Sequence, residues 1–231
     1  RMMIEQPPLL YRALYPKALW CVKKPHQKTV YLTFDDGPIP EVTPWVLDQL
    51  DRYNVKATFF CVGDNVRKYP YLYEEILECG HQVGNHTFHH LQGWLTASNR
   101  FVEDTLEAGR LIASNLFRPP HGHMIFPQPH LLKRKGYKIV MWDVVTRDYN
   151  VKLSPEQVLD NVKRYTRDGS IIVFHDSLKA EKNMKFALPR SIEWLQREGY
   201  TFELIPGMPK LSRNQEKILK REETVAVAAS R

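Results

Sequence analysis

No apolar run in this chain approaches the ~18 residues that a membrane-crossing helix needs, so no span is expected. The N-terminus lacks the unbroken apolar stretch of a signal peptide, because Arg12, Pro16 and Lys17 interrupt it. As it stands the chain reads as cytoplasmic; with a leader removed it reads as cell-envelope or secreted. Cysteine is scarce. Cys21, Cys61 and Cys79 make an odd number without a CxxC pair, which argues against a disulfide framework or a zinc ribbon. Cys61, in ATFFCVG, reads as a buried core thiol. The formal net charge is +7, but no dense Lys/Arg stripe is interleaved with aromatics. Nucleic acid is therefore not an expected partner, while acidic partners such as anionic glycans are mildly favoured. No repeat of about 20–50 residues and no long linker is visible, so one domain is expected.

What is present is ordinary for a soluble globular protein: 231 residues, 43% hydrophobic and 26% charged. Short β-branched and aromatic runs at 30–34, 57–62, 82–84, 116–118, 138–142, 170–174 and 201–205 read as strands. Amphipathic segments at 41–53, 71–79, 99–113, 128–135, 155–165 and 184–198 read as helices. Ser154-Pro155-Glu156-Gln157 is a helix start, and Gly80, Gly136 and Gly199 stand where helices end. This alternation predicts a parallel β/α architecture, either an open sheet or a closed barrel. Residues 1–27, rich in Pro and aromatics, read as an N-terminal extension packed on the outside. Residues 28–206 read as the domain, and 207–231 as a solvated or short helical tail.

The polar oddities gather at the C-terminal ends of the expected strands. Asp35 and Asp36 follow the first strand, and 85–90 (NHTFHH) the third. RPPHG at 118–122 ends the fourth, Asp143 and Asp148 follow the fifth, and His175-Asp176 closes the sixth. That end is where β/α folds collect their active sites. His86 and His90, four apart, project from one side of a helical turn, and His89 also reaches. Two imidazoles and a carboxylate suit a catalytic zinc and leave a position open for water; surface or capping histidines are the plainer alternative. The paired aspartates suit one metal ligand and one proton acceptor, or else an Asp-Asp-Gly turn capping the next helix. In RPPHG two prolines hold Arg118 rigidly, fit for clamping a carboxylate, and leave the N–H groups beyond Pro120 free for an oxyanion. A rigid turn is the alternative there, and His175 after IIVF can be a general acid or a core histidine.

TFDDGP, HTFHH, RPPHG, WDVVTRDY and IIVFHD occur in an order that resembles the polysaccharide deacetylases of carbohydrate esterase family 4, the NodB-like deacetylases, over about 28–205. The resemblance implies a distorted (β/α) barrel of about seven parallel strands. It implies a metal-dependent hydrolase that removes acetyl groups from N-acetylated sugars of a peptidoglycan- or chitin-like glycan. It implies Asp35 as general base, Asp36, His86 and His90 as ligands of Zn2+ (or Co2+ or Ni2+), and Arg118 orienting the base. His175 is then the acid, paired with Asp148, and Pro120, His121, Gly122, Tyr149 and Val173 meet the substrate. The family usually has Tyr where His121 stands, Trp at Tyr149 and Leu at Val173, and the last two reshape the acetyl pocket. An O-acetyl esterase, a small amide or imide hydrolase, a non-catalytic sugar-binding relative and an Fe(II) oxygenase with the same ligand set are the rivals. Oligomeric state is left open.

Overall fold

The computed structural model describes residues 5–207. The expected tail beyond Gly207 lies outside the described residues. In chain order the elements are α1 (Leu9–Leu14), β1 (Thr29–Asp35), α2 (Thr43–Arg52), β2 (Thr58–Cys61), α3 (Gly63–Lys68) and α4 (Pro70–Glu78). Then come β3 (Gln82–Asn85), α5 (Ser98–Ala108), β4 (Leu116–Phe117), α6 (Gln128–Arg134) and β5 (Lys138–Ile139). The last are β6 (Val144–Val145), α7 (Pro155–Tyr165), β7 (Ser170–His175), α8 (Glu181–Arg197) and β8 (Thr201–Phe202). The six expected helices are present as α2 and α4–α8. α7 carries a full capping box, in which the Ser154 hydroxyl accepts from the Gln157 N–H and the Gln157 side chain accepts from the Ser154 N–H.

All strand pairs are parallel, in the order β5-β4-β3-β2-β1-β7-β6, with β8 beside the start of β1. β1 lies in the middle and every one of its residues is buried, as a parallel strand covered on both faces should be. Val30, Leu32 and Phe34 face the helices in the main core. Tyr31 faces the opposite side, among Phe60, Leu116, Val140 and Ile171. Thr33 and Asp35 share that inner side with the fully buried Arg118.

One expected strand is corrected. The run 138–142 is not a single strand: β5 takes its start at one edge of the sheet, and β6 follows at the opposite edge. A flat path of seven strands would separate those edges by about 29 Å. The five residue steps from Ile139 to Val144 reach at most about 18 Å. The sheet must therefore curl, which decides between the open sheet and the distorted barrel. The backbone changes partner as it crosses: the Val140 N–H goes to Phe117 O, Met141 to Leu19 O and Asp143 to Ile171 O. The apolar stretch 139–142 carries no periodicity that marks such a switch.

The N-terminal segment also departs from expectation. It does not merely coat the outside. Tyr15 and Trp20 are buried in a second core cluster with Phe101, Phe117 and Met141. Arg12 pairs with the buried Asp143 at 2.5 Å, Arg147 pairs with Glu5, and the Val145 N–H donates to Glu5 O. Burial opposes the Asp143 charge, but hydrogen bonds from Arg167, Arg12 and Ser170 hold its carboxyl below the usual range. These contacts draw residues 5–12 across the C-terminal ends of the strands.

Candidate active site

The DDGP turn is fixed from three sides. Asn65 donates to Asp36 O, the Val62 N–H to Gly37 O, and the Gly37 N–H to the Asp176 carboxyl. A Cβ on Gly37 would fall 1.9 Å from Asp176 Oδ2, so only glycine fits. Asp176 also accepts from the Thr43 hydroxyl at 2.6 Å, and burial pushes its carboxyl up to about 8. Its role is to tie the end of β7 to the end of β1, and VFHD alone does not reveal it. Asp36 is left at φ 82°, and Thr87, His90, His121 and Arg147 also have positive φ. Non-glycine residues hold that conformation only where their surroundings force it, and three of these, Asp36, His90 and His121, line one cleft.

Asp36 Oδ1 lies 3.1 Å from His90 Nε2 and 3.6 Å from His86 Nε2. Burial would raise the Asp36 carboxyl, but the two imidazoles hold it well below the usual range. His86 Nδ1 lies 2.7 Å from the Arg118 carbonyl, which can only accept. The proton therefore sits on Nδ1, and the Nε2 lone pair points toward Asp36. Two imidazole nitrogens and a carboxylate oxygen within 4.8 Å of one another make a donor set that fits a divalent cation of the zinc type. His89, the third histidine of the motif, turns away. Its Nδ1 pairs at 2.6 Å with buried Asp104, which also accepts the Phe88 and His89 N–H groups.

Asp35 lies behind this cluster. Its Oδ1 accepts from Arg118 Nη1 at 2.7 Å. Arg118 also donates to the Thr33 hydroxyl and to the carbonyls of Val140 and Met141, and stacks on Phe60 at 4.1 Å. A buried guanidinium is tolerable only when satisfied in this way. The β1–β7 register sets Asp35 directly opposite His175. His175 Nδ1 lies 2.7 Å from Asp148 Oδ1, and its N–H donates to Asp148 Oδ2. Burial works against a charged imidazole, but Asp148, with Asp36 and Asp35 further off, raises His175 to about 9.

A cleft of about 670 Å³ exposes Asp35, Asp36, His86, His90 and His175 together. Its walls include His121, Gly122, Trp142, Val145, Tyr149 and Val173. Arg118 and Asp148 stand behind the wall, fully buried. Pro119 lines the cleft and Pro120 is not among the lining residues, although both are buried. The His121 N–H has no acceptor among the described residues, whereas those of Gly122 and His123 are used by the turn. Burial, with the nearby His90 and His86, lowers the His121 imidazole to about 4. Pro7, Pro8 and Tyr11 complete the cleft, and the Tyr11 hydroxyl donates to Gly122 O at 2.6 Å. No motif announced them; the only signal was the aromatic, Pro-rich character of the segment.

A parallel sheet curled around a two-histidine, one-carboxylate cluster, with Asp35 and His175 beside it, is the architecture of a sugar deacetylase. Residues 22–140 match the family model described as polysaccharide deacetylase. The chain is 32% identical over 202 residues to a peptidoglycan-N-acetylglucosamine deacetylase of Bacillus cereus, covering 84% of this chain and 94% of that one. It is similar to the crystal structure of the Bc1960 peptidoglycan N-acetylglucosamine deacetylase in complex with 4-naphthalen-1-yl-N-oxidanyl-benzamide (TM-score 0.76, 31% identity, 85% of this chain and 94% of that one). It is also similar to BA3943, a CE4 family pseudoenzyme from Bacillus anthracis (TM-score 0.71, 26% identity, 79% of this chain and 65% of that one). The chain belongs to the polysaccharide deacetylase family, carbohydrate esterase family 4.

Proposed function

We propose that this chain hydrolyses the acetamide of N-acetylated amino sugars in a peptidoglycan- or chitin-like glycan, using Zn2+ held by Asp36, His86 and His90. The family also contains a pseudoenzyme, so membership alone does not carry activity. The observation that carries it is the meeting, in one cleft, of the Asp36–His86–His90 cluster with Asp35 and His175. Bound there, the cation would polarise the acetyl carbonyl and acidify water.

The chain's own groups divide the rest. Asp35, its carboxylate oriented by Arg118, takes a proton from the water that adds to the carbonyl carbon. The free His121 N–H donates to the oxygen as it becomes anionic. His175, held by Asp148, gives its proton to the sugar nitrogen as the C–N bond breaks, and acetate and the amine leave. Val145, Val173, Tyr149 and Trp142 offer an apolar wall for the acetyl methyl. Such a substrate places the work at the cell envelope or outside it. Among the described residues no helix is long and apolar enough to cross a membrane.

Acetate release from N-acetylglucosamine oligomers, with and without a chelator, tests the reading. Release that stops with chelator and returns with Zn2+ is expected; no release from any N-acetylated glycan would overturn it.

Tyr11 enters this scheme through Gly122. Its hydroxyl holds the loop that presents the His121 N–H. Tyr11→Phe deletes one hydrogen bond of about 1 kcal/mol, so a fall in kcat of about five-fold is expected, with KM for a short oligomer little changed. Steady-state kinetics check this, and a change confined to KM would mean that Tyr11 serves only as a wall.

A further inference from the structure

The cleft does not end at His123. This residue lines it, and its ring also stacks on Trp94 at 3.9 Å with the planes 8° apart. Trp94 is 49% exposed, so its other side faces solvent. Leu95 and Phe126 are 82% and 89% exposed, and Ile125 is exposed as well. An exposed apolar surface of this kind, joined to an active-site cleft, marks a binding surface.

The surface is rigidly built. Trp94 Nε1 donates to Met124 O at 3.1 Å. The fully buried Gln128 stitches the two loops, donating to Gly93 O and Thr96 O and accepting from the Ile125 N–H. A Cβ on Gly93 would fall 2.3 Å from His123 O, so the close approach of the loops depends on glycine there. A side chain already held loses little freedom when a ligand covers it.

We propose that the Trp94–His123 stack and the adjacent Phe126 form a glycan platform, which holds sugar units flanking the one that is deacetylated. The inference rests on the deacetylase reading for its ligand class. A cleft of about 670 Å³ is the size of a small-molecule pocket, so a longer sugar chain must leave it across a neighbouring surface. Pyranose rings carry an apolar C–H face, and a fixed indole face with its negative quadrupole complements it. Other exposed apolar residues near the cleft, Leu9, Leu10 and Leu14 of α1 and Leu178 between the lining residues Ser177 and Lys179, are aliphatic and offer no flat face.

The test compares Trp94→Ala, Trp94→Phe and the unaltered protein on N-acetylglucosamine dimer and hexamer. For Trp94→Ala the ratio of hexamer to dimer kcat/KM is expected to fall about 3- to 10-fold, with Trp94→Phe between. Bound zinc should stay unchanged and the melting temperature should fall by only a few degrees, for the lost stack and hydrogen bond, which removes misfolding as a cause. A ratio equal to that of the unaltered protein overturns the platform. So does a Trp94→Ala variant whose only change is oligomeric state by light scattering, because the face is then a contact between copies. Hexamer binding by calorimetry separates the two readings. Trp94-dependent binding without acetate release sinks the deacetylase reading alone; acetate release with a Trp94-independent ratio sinks the platform alone.

Discussion

Asp35→Asn is expected to bind zinc with the stoichiometry of the unaltered protein and to release acetate about 10²–10⁴-fold more slowly. Asn keeps the shape of Asp and an oxygen that can accept from Arg118 Nη1. It cannot take a proton. Asp35 also stands outside the cluster formed by Asp36 with His86 and His90, so the cation site should survive the change. Asp36→Asn is the contrast: it removes an anionic ligand, and zinc and activity should fall together. Zinc content after dialysis, read beside initial rates, separates the two variants. If Asp35→Asn loses zinc while Asp36→Asn keeps it, base and ligand are assigned in the wrong order. The first variant should also melt earlier, because a fully buried guanidinium loses its counter-charge and keeps only neutral acceptors.

Much of this site was legible because its chemistry is local in sequence. Asp35 and Asp36 are neighbours, and one turn of chain carries both His86 and His90. The strand pattern then predicts that these segments end on one side of a sheet. What it could not supply are relations between distant segments. The choice among His86, His89 and His90 depends on Asp104, a helix residue that captures His89. The curl of the sheet depends on the chain changing edges between β5 and β6, across an unbroken apolar run at 139–142. Tyr11 and Pro8 reach the cleft only because Arg12 and Glu5 are anchored by Asp143 and Arg147, pairs more than 130 positions apart. Single residues making such contacts leave no periodicity and no motif. The Trp94–His123 stack is of the same kind: each side chain looks like an ordinary loop aromatic until the two loops meet.

His175→Ala should divide amide from ester chemistry. An amine cannot leave as its anion, so C–N cleavage needs a proton delivered to nitrogen, whereas 4-nitrophenolate leaves without one. Loss of the acid is therefore expected to slow acetate release from the glycan by about 10²–10⁴-fold and hydrolysis of 4-nitrophenyl acetate far less. Equal losses on both substrates would remove His175 from the acid role. The unaltered enzyme should show the matching pH dependence. Although burial opposes its charge, His175 is raised to about 9, chiefly by Asp148, so it carries its proton at neutral pH. Activity on the glycan should fall as pH rises through that value. Part of the support comes from the charges of Asp36 and Asp35, which a bound cation would offset, so the limb in the zinc-loaded enzyme falls at or below pH 9. The same shift bears on stability. The folded value lies above the unfolded 6.5, so the His175–Asp148 pair contributes fully below pH 6.5 and is lost as pH rises through about 9. In His175→Ala the alkaline loss of melting temperature should accordingly be smaller than in the unaltered protein, a readout independent of turnover.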